Sequence, residues 1–186
     1  MFNEYKKILK GLLKENRYIH SLGVMETAGE LAERFGENAD KARLAGLVHD
    51  CAKNITDFEE VCKKYNYTPD EIEEKNPELL HAPLGALMLC ELFVIEDKEI
   101  EDAVRYHTVA RRNMTNLDKI IYLSDMIEPS RNFYGVEDLR AMAKEDLDKA
   151  VLHALDQSLM FVIKKGALAH PNTLYARNEL KGKEIL

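Results

Sequence analysis

Hydrophobic positions recur along this chain at three- and four-residue spacing, the rhythm of helices with one buried face, and strict two-residue alternation is absent. Val24, Ala28, Leu31, Ala32 and Phe35 mark one such face, which ends near Gly36. Ala42, Ala45 and His49 mark a second, made of small residues. Asp57 is placed to cap a third helix carrying Phe58, Val61, Cys62 and Tyr65. Thr68-Pro69-Asp70-Glu71 reads as the opening of a short helix with proline in its first turn.

Another helix is expected from about Ala82-Pro83, with Leu84, Leu87, Met88 and Leu92 on one side. Ile100, Val104 and His107 mark the next. Thr115-Asn116-Leu117-Asp118 resembles a helix start, and its helix runs through Ile120, Ile121 and Leu123 to Asp125. A long amphipathic helix is expected from about Val136 to Lys165, closed by Gly166, and the tail HPNTLYARNEL as a loop and a short last helix. No repeat, low-complexity run or linker interrupts the pattern, so the expectation is one all-α domain over residues 1–186.

Composition narrows the class. Charged residues make up 32% and the net charge is -7, so a global basic footprint for nucleic acid is absent. A small anionic substrate is still compatible, because a bound metal reverses the local field. The three cysteines, Cys51, Cys62 and Cys90, are odd in number and form no CxxC, which argues against a disulfide framework or thiolate zinc and fits a reducing cytoplasm. No apolar run approaches the roughly 20 residues of a membrane span, and the first residues read as no signal peptide.

The candidate chemistry lies in histidines. His20, His49, His81 and His107 each sit at the edge of an apolar helical pattern, and Asp50 and Asp125 occupy similar positions. One histidine near a core face is ordinarily a hydrogen-bonded structural residue. Four of them with two aspartates on the helices of one small bundle can converge, and imidazole nitrogen with carboxylate oxygen suits iron, manganese or zinc. Ligation would also offset the burial of polar groups in LAGLVHDCAKN, which otherwise costs about 2–7 kcal/mol each.

The order His20, His49-Asp50, Asp125 resembles the HD-domain metal-dependent phosphohydrolase superfamily. Tyr18-Ile19-His20-Ser21-Leu22-Gly23-Val24, HDCAKN, HAPLGA, RYHT, IIYLSDMIEPSR and Arg177-Asn178 together resemble its YqeK-type branch of symmetrical bis(5'-nucleosyl)-tetraphosphatases. The matching blocks span about Asn16 to Arg131, with C-terminal helices from about 136 to 186. The resemblance implies a helical HD fold and hydrolysis of diadenosine tetraphosphate to two ADP. It implies one or two ions, iron first and manganese or another divalent metal next, held by His20, His49, Asp50 and Asp125. His81 and His107 would serve a second metal or phosphate, and Asp50, with two oxygens, suits a bridge.

Around that set, Asp50 and Lys53 are the candidate catalytic residues, Lys53 being a neighbour of Asp50 on a continued helix. Arg17, Lys53, His81, His107, Thr108 and Arg131 are candidate phosphate contacts, each weighed against a surface or capping role. Glu128 is a candidate orienter of a ligating histidine. Tyr175 is a candidate for stacking on a base and Arg177 for phosphate. The expected partners are a nucleoside polyphosphate and its ADP product, without nucleic acid or membrane, and a homodimer is left open. The competing readings are another HD phosphohydrolase acting on a nucleotide or alarmone, and a non-catalytic nucleotide-sensing module.

Overall fold

Six of the described helices begin where a side chain takes over unpaired backbone N–H groups of the first turn. Asn38 accepts from Lys41 N, Asp57 from Glu60 N, Asp97 from Glu99 N and Asp146 from Lys149 N. Asp70 with Glu73, and Thr115 with Asp118, form reciprocal capping boxes. The computed structural model describes residues 2–185, with side chains as far as Lys183.

Among the described residues there are eleven α-helices and no strand. They are α1 (Phe2–Leu12), α2 (Glu15–Phe35), α3 (Ala39–Val48) and α4 (Phe58–Lys64). Then follow α5 (Glu71–Lys75), a 3₁₀ turn over Pro77–Leu80, α6 (His81–Phe93) and α7 (Lys98–Tyr106). The chain continues through α8 (Asn116–Ile127), α9 (Val136–Ala143), α10 (Leu147–Lys164) and α11 (Pro171–Ile185). No described helix is long and apolar enough to cross a membrane.

The core joins α2, α3, α7, α8 and α10 through side chains such as Met25, Ala45, Val104, Ile120, Leu123 and Leu155. A smaller cluster of Cys62, Leu80 and Leu84 ties α4 to α6. Helices α2 and α3 approach closely at Gly46. A Cβ on Gly46 would lie 3.0 Å from Val24 O and 3.1 Å from the Met25 Cα, both backbone atoms that have nowhere to go. The small-residue face of α3 therefore sets the depth at which His49 meets α2.

Three expectations need correction. The helix from Val136 to Lys165 is two helices. Asp146 takes an extended conformation (φ -149°, ψ 111°) and caps α10, so the chain breaks between Ala143 and Leu147 although the apolar rhythm continues. Pro69 precedes the Asp70 cap and lies outside the first turn of α5. Lys53 is not on a continued helix. Helix α3 ends at Val48, and Cys51 N, Lys53 N and Ile55 N then bond three residues back, to Val48 O, Asp50 O and Ala52 O. The tail forms a full 15-residue helix, tied down where His170 Nε2 meets Asp70 Oδ2 at 2.8 Å and Thr173 Oγ1 donates to Val109 O.

Candidate metal centre

The four histidines enter one point from four elements. His20 lies in the second turn of α2, His49 follows the last residue of α3, His81 opens α6 and His107 follows the last residue of α7. All four are buried, as is Asp50, which is 2% exposed. Asp125, near the end of α8, is partly open to solvent.

Ring orientation is set from behind. His49 Nδ1 donates to Gly46 O and His107 Nδ1 to Val104 O, each at 2.7 Å, and His81 Nδ1 faces Glu78 O. His20 Nδ1 meets Glu128 Oε1 at 2.9 Å. With every Nδ1 engaged, every Nε2 is turned toward the shared centre, the arrangement typical of metal-ligating histidine. Glu128, 1% exposed, is held by Ser130 N at 2.7 Å and by the Ser130 hydroxyl. It thus orients His20.

The Asp50 carboxylate lies between two groups. Its Oδ2 is 3.6 Å from His49 Nε2 and 4.0 Å from His20 Nε2. Its Oδ1 is 3.2 Å from His81 Nε2 and 3.5 Å from His107 Nε2. Asp125 Oδ1 approaches His20 Nε2 at 2.9 Å and His49 Nε2 at 3.9 Å.

Donor atoms of His20, His49 and Asp50, of His49, His107 and Asp125, and of Asp50, His81 and His107 each cluster within 4.8 Å. Yet the buried His49 Nε2 has no hydrogen-bond partner, and His20 Nε2 has only its ion-pair contact with Asp125. Imidazole nitrogens together with two carboxylates form a donor set that fits a divalent ion. The orphaned His49 nitrogen is then satisfied, as buried polar atoms ordinarily are.

The electrostatics agree. Burial pushes the His49 pKa down to about 4 and lowers that of His81, so both are neutral donors at neutral pH. For His20, burial is outweighed by the Asp125 and Glu128 carboxylates, which raise its pKa. Burial opposes ionisation of Asp50, but His49, His107 and His81 hold its pKa well below the usual range. Asp125 is likewise ionised against burial, through His20, His49 and Arg131.

Cations ring the mouth. Arg17 Nη1 lies 3.3 Å from Asp50 Oδ2, and Arg131 binds both the Asp125 carboxylate and its main-chain oxygen. Arg131 thus reaches Asp125, while Glu128 stands 3.9 Å away. Lys53 Nζ is 3.3 Å from both nitrogens of His81, and burial lowers its pKa. The turn after α3 brings it there without helical continuation. Thr108 Oγ1 lies 3.4 Å from His81 Nε2.

A cleft of about 520 Å³ opens on His20, and Arg17, Glu128, Ser130, Arg131 and Phe133 are among its walls. A cavity of about 280 Å³ adjoins the other flank at Thr108, with Tyr67, Arg105 and Tyr106 among its walls. A larger groove of about 780 Å³ between α2 and α9 contains no histidine and none of the orphaned atoms.

Two expected substrate contacts, Tyr175 and Arg177, lie away from the histidine cluster on α11: Arg112 covers the Tyr175 ring at 4.3 Å, and Arg177 Nε pairs with Asp156 at 2.8 Å. Ser130 and Phe133 were missed, although an aromatic pair in a short loop just after Arg131 was visible in PSRNFYG.

A family model described as the HD domain matches residues 17–130, the stretch that carries every one of these donors. The chain belongs to the HD domain family. Membership implies a divalent metal, and the donor set of this HD-domain protein fits one. It is 41% identical over 174 residues to a protein of Bacillus subtilis named bis(5'-nucleosyl)-tetraphosphatase, symmetrical, covering 92% of this chain and 93% of that one. A protein of the same name from Halalkalibacterium halodurans is 42% identical, covering 94% of each. A crystal structure described as a predicted HD superfamily hydrolase involved in NAD metabolism, from Clostridium acetobutylicum, superposes with a TM-score of 0.94. Its identity is 43% and it covers 98% of both chains.

Proposed function

We propose that this HD-domain protein is a symmetrical bis(5'-nucleosyl)-tetraphosphatase, hydrolysing diadenosine tetraphosphate to two ADP. The observation that carries the reading is the Asp50 carboxylate, whose two oxygens face separate pairs of imidazoles, in a chain matched along more than nine-tenths of its length by tetraphosphatases. His20, His49, Asp50 and Asp125 are the proposed principal ligands, and His81 with His107 completes a second position sharing Asp50. Iron is the proposed metal, one or two ions, with manganese the alternative. When bound, such a metal lowers the pKa of water from 15.7 toward roughly 7 and neutralises phosphoryl oxygen.

The protein's own side chains account for the rest. His49 and His81, kept neutral by burial, stay free to donate lone pairs. Arg17 and Arg131 each leave about a third of the side chain exposed. From there their planar guanidiniums can bind phosphate oxygens in pairs. Lys53 and Thr108 face the His81 flank, where they neutralise and hydrogen-bond the phosphates of the other half. Openings on both flanks of Asp50 suit attack in the middle of a tetraphosphate, with one nucleoside diphosphate on each side.

The test is product chromatography after incubating metal-loaded protein with diadenosine tetraphosphate. ADP as sole product is expected, and AMP with ATP would overturn symmetrical cleavage. A faster rate on another nucleotide in a substrate panel would displace the proposed substrate.

A further inference from the structure

We propose that Phe133 is the nucleobase platform of this site, the ring on which the base of a bound nucleoside diphosphate stacks. The inference rests on the hydrolase reading and adds the substrate contact that fixes the base. A nucleoside diphosphate has an anionic end and a flat, weakly polar end. The 520 Å³ cleft offers both complements, with the guanidiniums of Arg17 and Arg131 beside His20, and Phe133 as the one aromatic among the described residues of its walls.

The loop that carries Phe133 is held at both ends. Arg140 donates to Glu128 O at 2.7 Å and to Arg131 O at 3.0 Å, and Arg131 Nε donates to Asp125 O at 2.6 Å. On the far side Val136 N bonds to Phe133 O, and Gly135 takes a left-handed conformation (φ 88°) at the start of α9. Phe133 is 36% exposed and belongs to neither hydrophobic cluster. Folding gains little from it, so its place in the cleft wall is open to a ligand. Tyr134, next in the chain, is fully exposed and lies outside the cleft wall, which makes it an internal comparison. Stacking on a ring is tolerant of base identity, since every base has a π face. Adenosine and guanosine diphosphates should therefore bind alike.

The experiment measures binding of ADP, GDP and inorganic pyrophosphate to the manganese-loaded full chain by calorimetry. Phe133→Ala should weaken ADP and GDP about tenfold, on the usual worth of one base–aromatic stack, and leave pyrophosphate within about twofold. Phe133→Trp should retain ADP, and Tyr134→Ala should retain all three ligands. Unchanged ADP affinity in Phe133→Ala, or equal loss of pyrophosphate, overturns the proposal, as does wild-type protein that binds ADP no better than pyrophosphate. Failure of the hydrolase reading is registered separately, by the products formed from the tetraphosphate.

Discussion

Gly23→Ala should leave the fold intact and weaken the metal site. Gly23 lies in the middle of α2, where alanine is favoured over glycine by about 1 kcal/mol. A Cβ at this position would lie 2.6 Å from Glu128 Oε2 and 3.3 Å from its Cδ. Ordinary contact begins near 3.4 Å, so the carboxylate must withdraw by about 0.8 Å.

Glu128 has no free room, being buried and bonded to Ser130 as well as to His20 Nδ1. A displacement of that size takes the 2.9 Å His20–Glu128 hydrogen bond beyond useful length. Loss of such an orienting partner typically costs about 10–100-fold in metal affinity, or about 1.4–2.7 kcal/mol. The assay is manganese titration of the metal-free variant beside its thermal unfolding. The expected result is a folded metal-free variant, its helix gain of about 1 kcal/mol partly offsetting the loss of the buried His20–Glu128 bond, with manganese affinity reduced at least tenfold. A folded Gly23→Ala variant binding manganese within about threefold of wild type would refute the argument that Glu128 positions His20.

Asp50→Asn removes the charge shared by both halves of the centre, and metal content and turnover should both fall to below about a tenth of wild type with circular dichroism unchanged. Full metal content in that variant would contradict the bridging role. His49, with its pKa lowered to about 4 from the ordinary 6.5, binds a proton in the unfolded chain but not in the folded one between those pH values. Stability of the metal-free protein should therefore rise with pH across that window, by an amount on the order of 3 kcal/mol from this group; a flat urea midpoint from pH 4.5 to 6.5 would count against it. Val94 ends α6 in the left-handed region (φ 55°) with its side chain 81% exposed, so Val94→Gly should raise stability by about 1 kcal/mol in urea unfolding. Cys51 is buried with its thiol pushed up to about 12, and Cys62 is buried too, so one thiol, Cys90, should react rapidly with a chromogenic disulfide in the native state and three after unfolding.

Much of the candidate site was legible before folding. His20, His49, Asp50, His81, His107 and Asp125 stand out because each puts a polar side chain on or beside an apolar helical face, where burial needs a compensating partner. The α8 start was equally readable, since a capping box is local chemistry between Thr115 and Asp118. Position 146 was misread for the opposite reason. The apolar rhythm passes through the break, and the extended turn at Asp146 competes with helix by a margin that periodicity does not register. Lys53 was read as a helical neighbour of Asp50, where the chain instead makes a run of three-residue turns.

The sequence by itself determined that the chain is helical, which faces are buried, and that an imidazole and carboxylate set can converge inside. Those properties depend on spacing and on the energetics of burying one residue at a time. Only the tertiary structure decided which oxygen of Asp50 faces which histidines, that Glu128 stands behind His20, and that Phe133 reaches the cleft while Tyr175 and Arg177 pack elsewhere. These are relations between residues up to 108 positions apart. They follow from how closely α2 approaches α3 and where the α8–α9 loop is anchored, distances that no local pattern encodes.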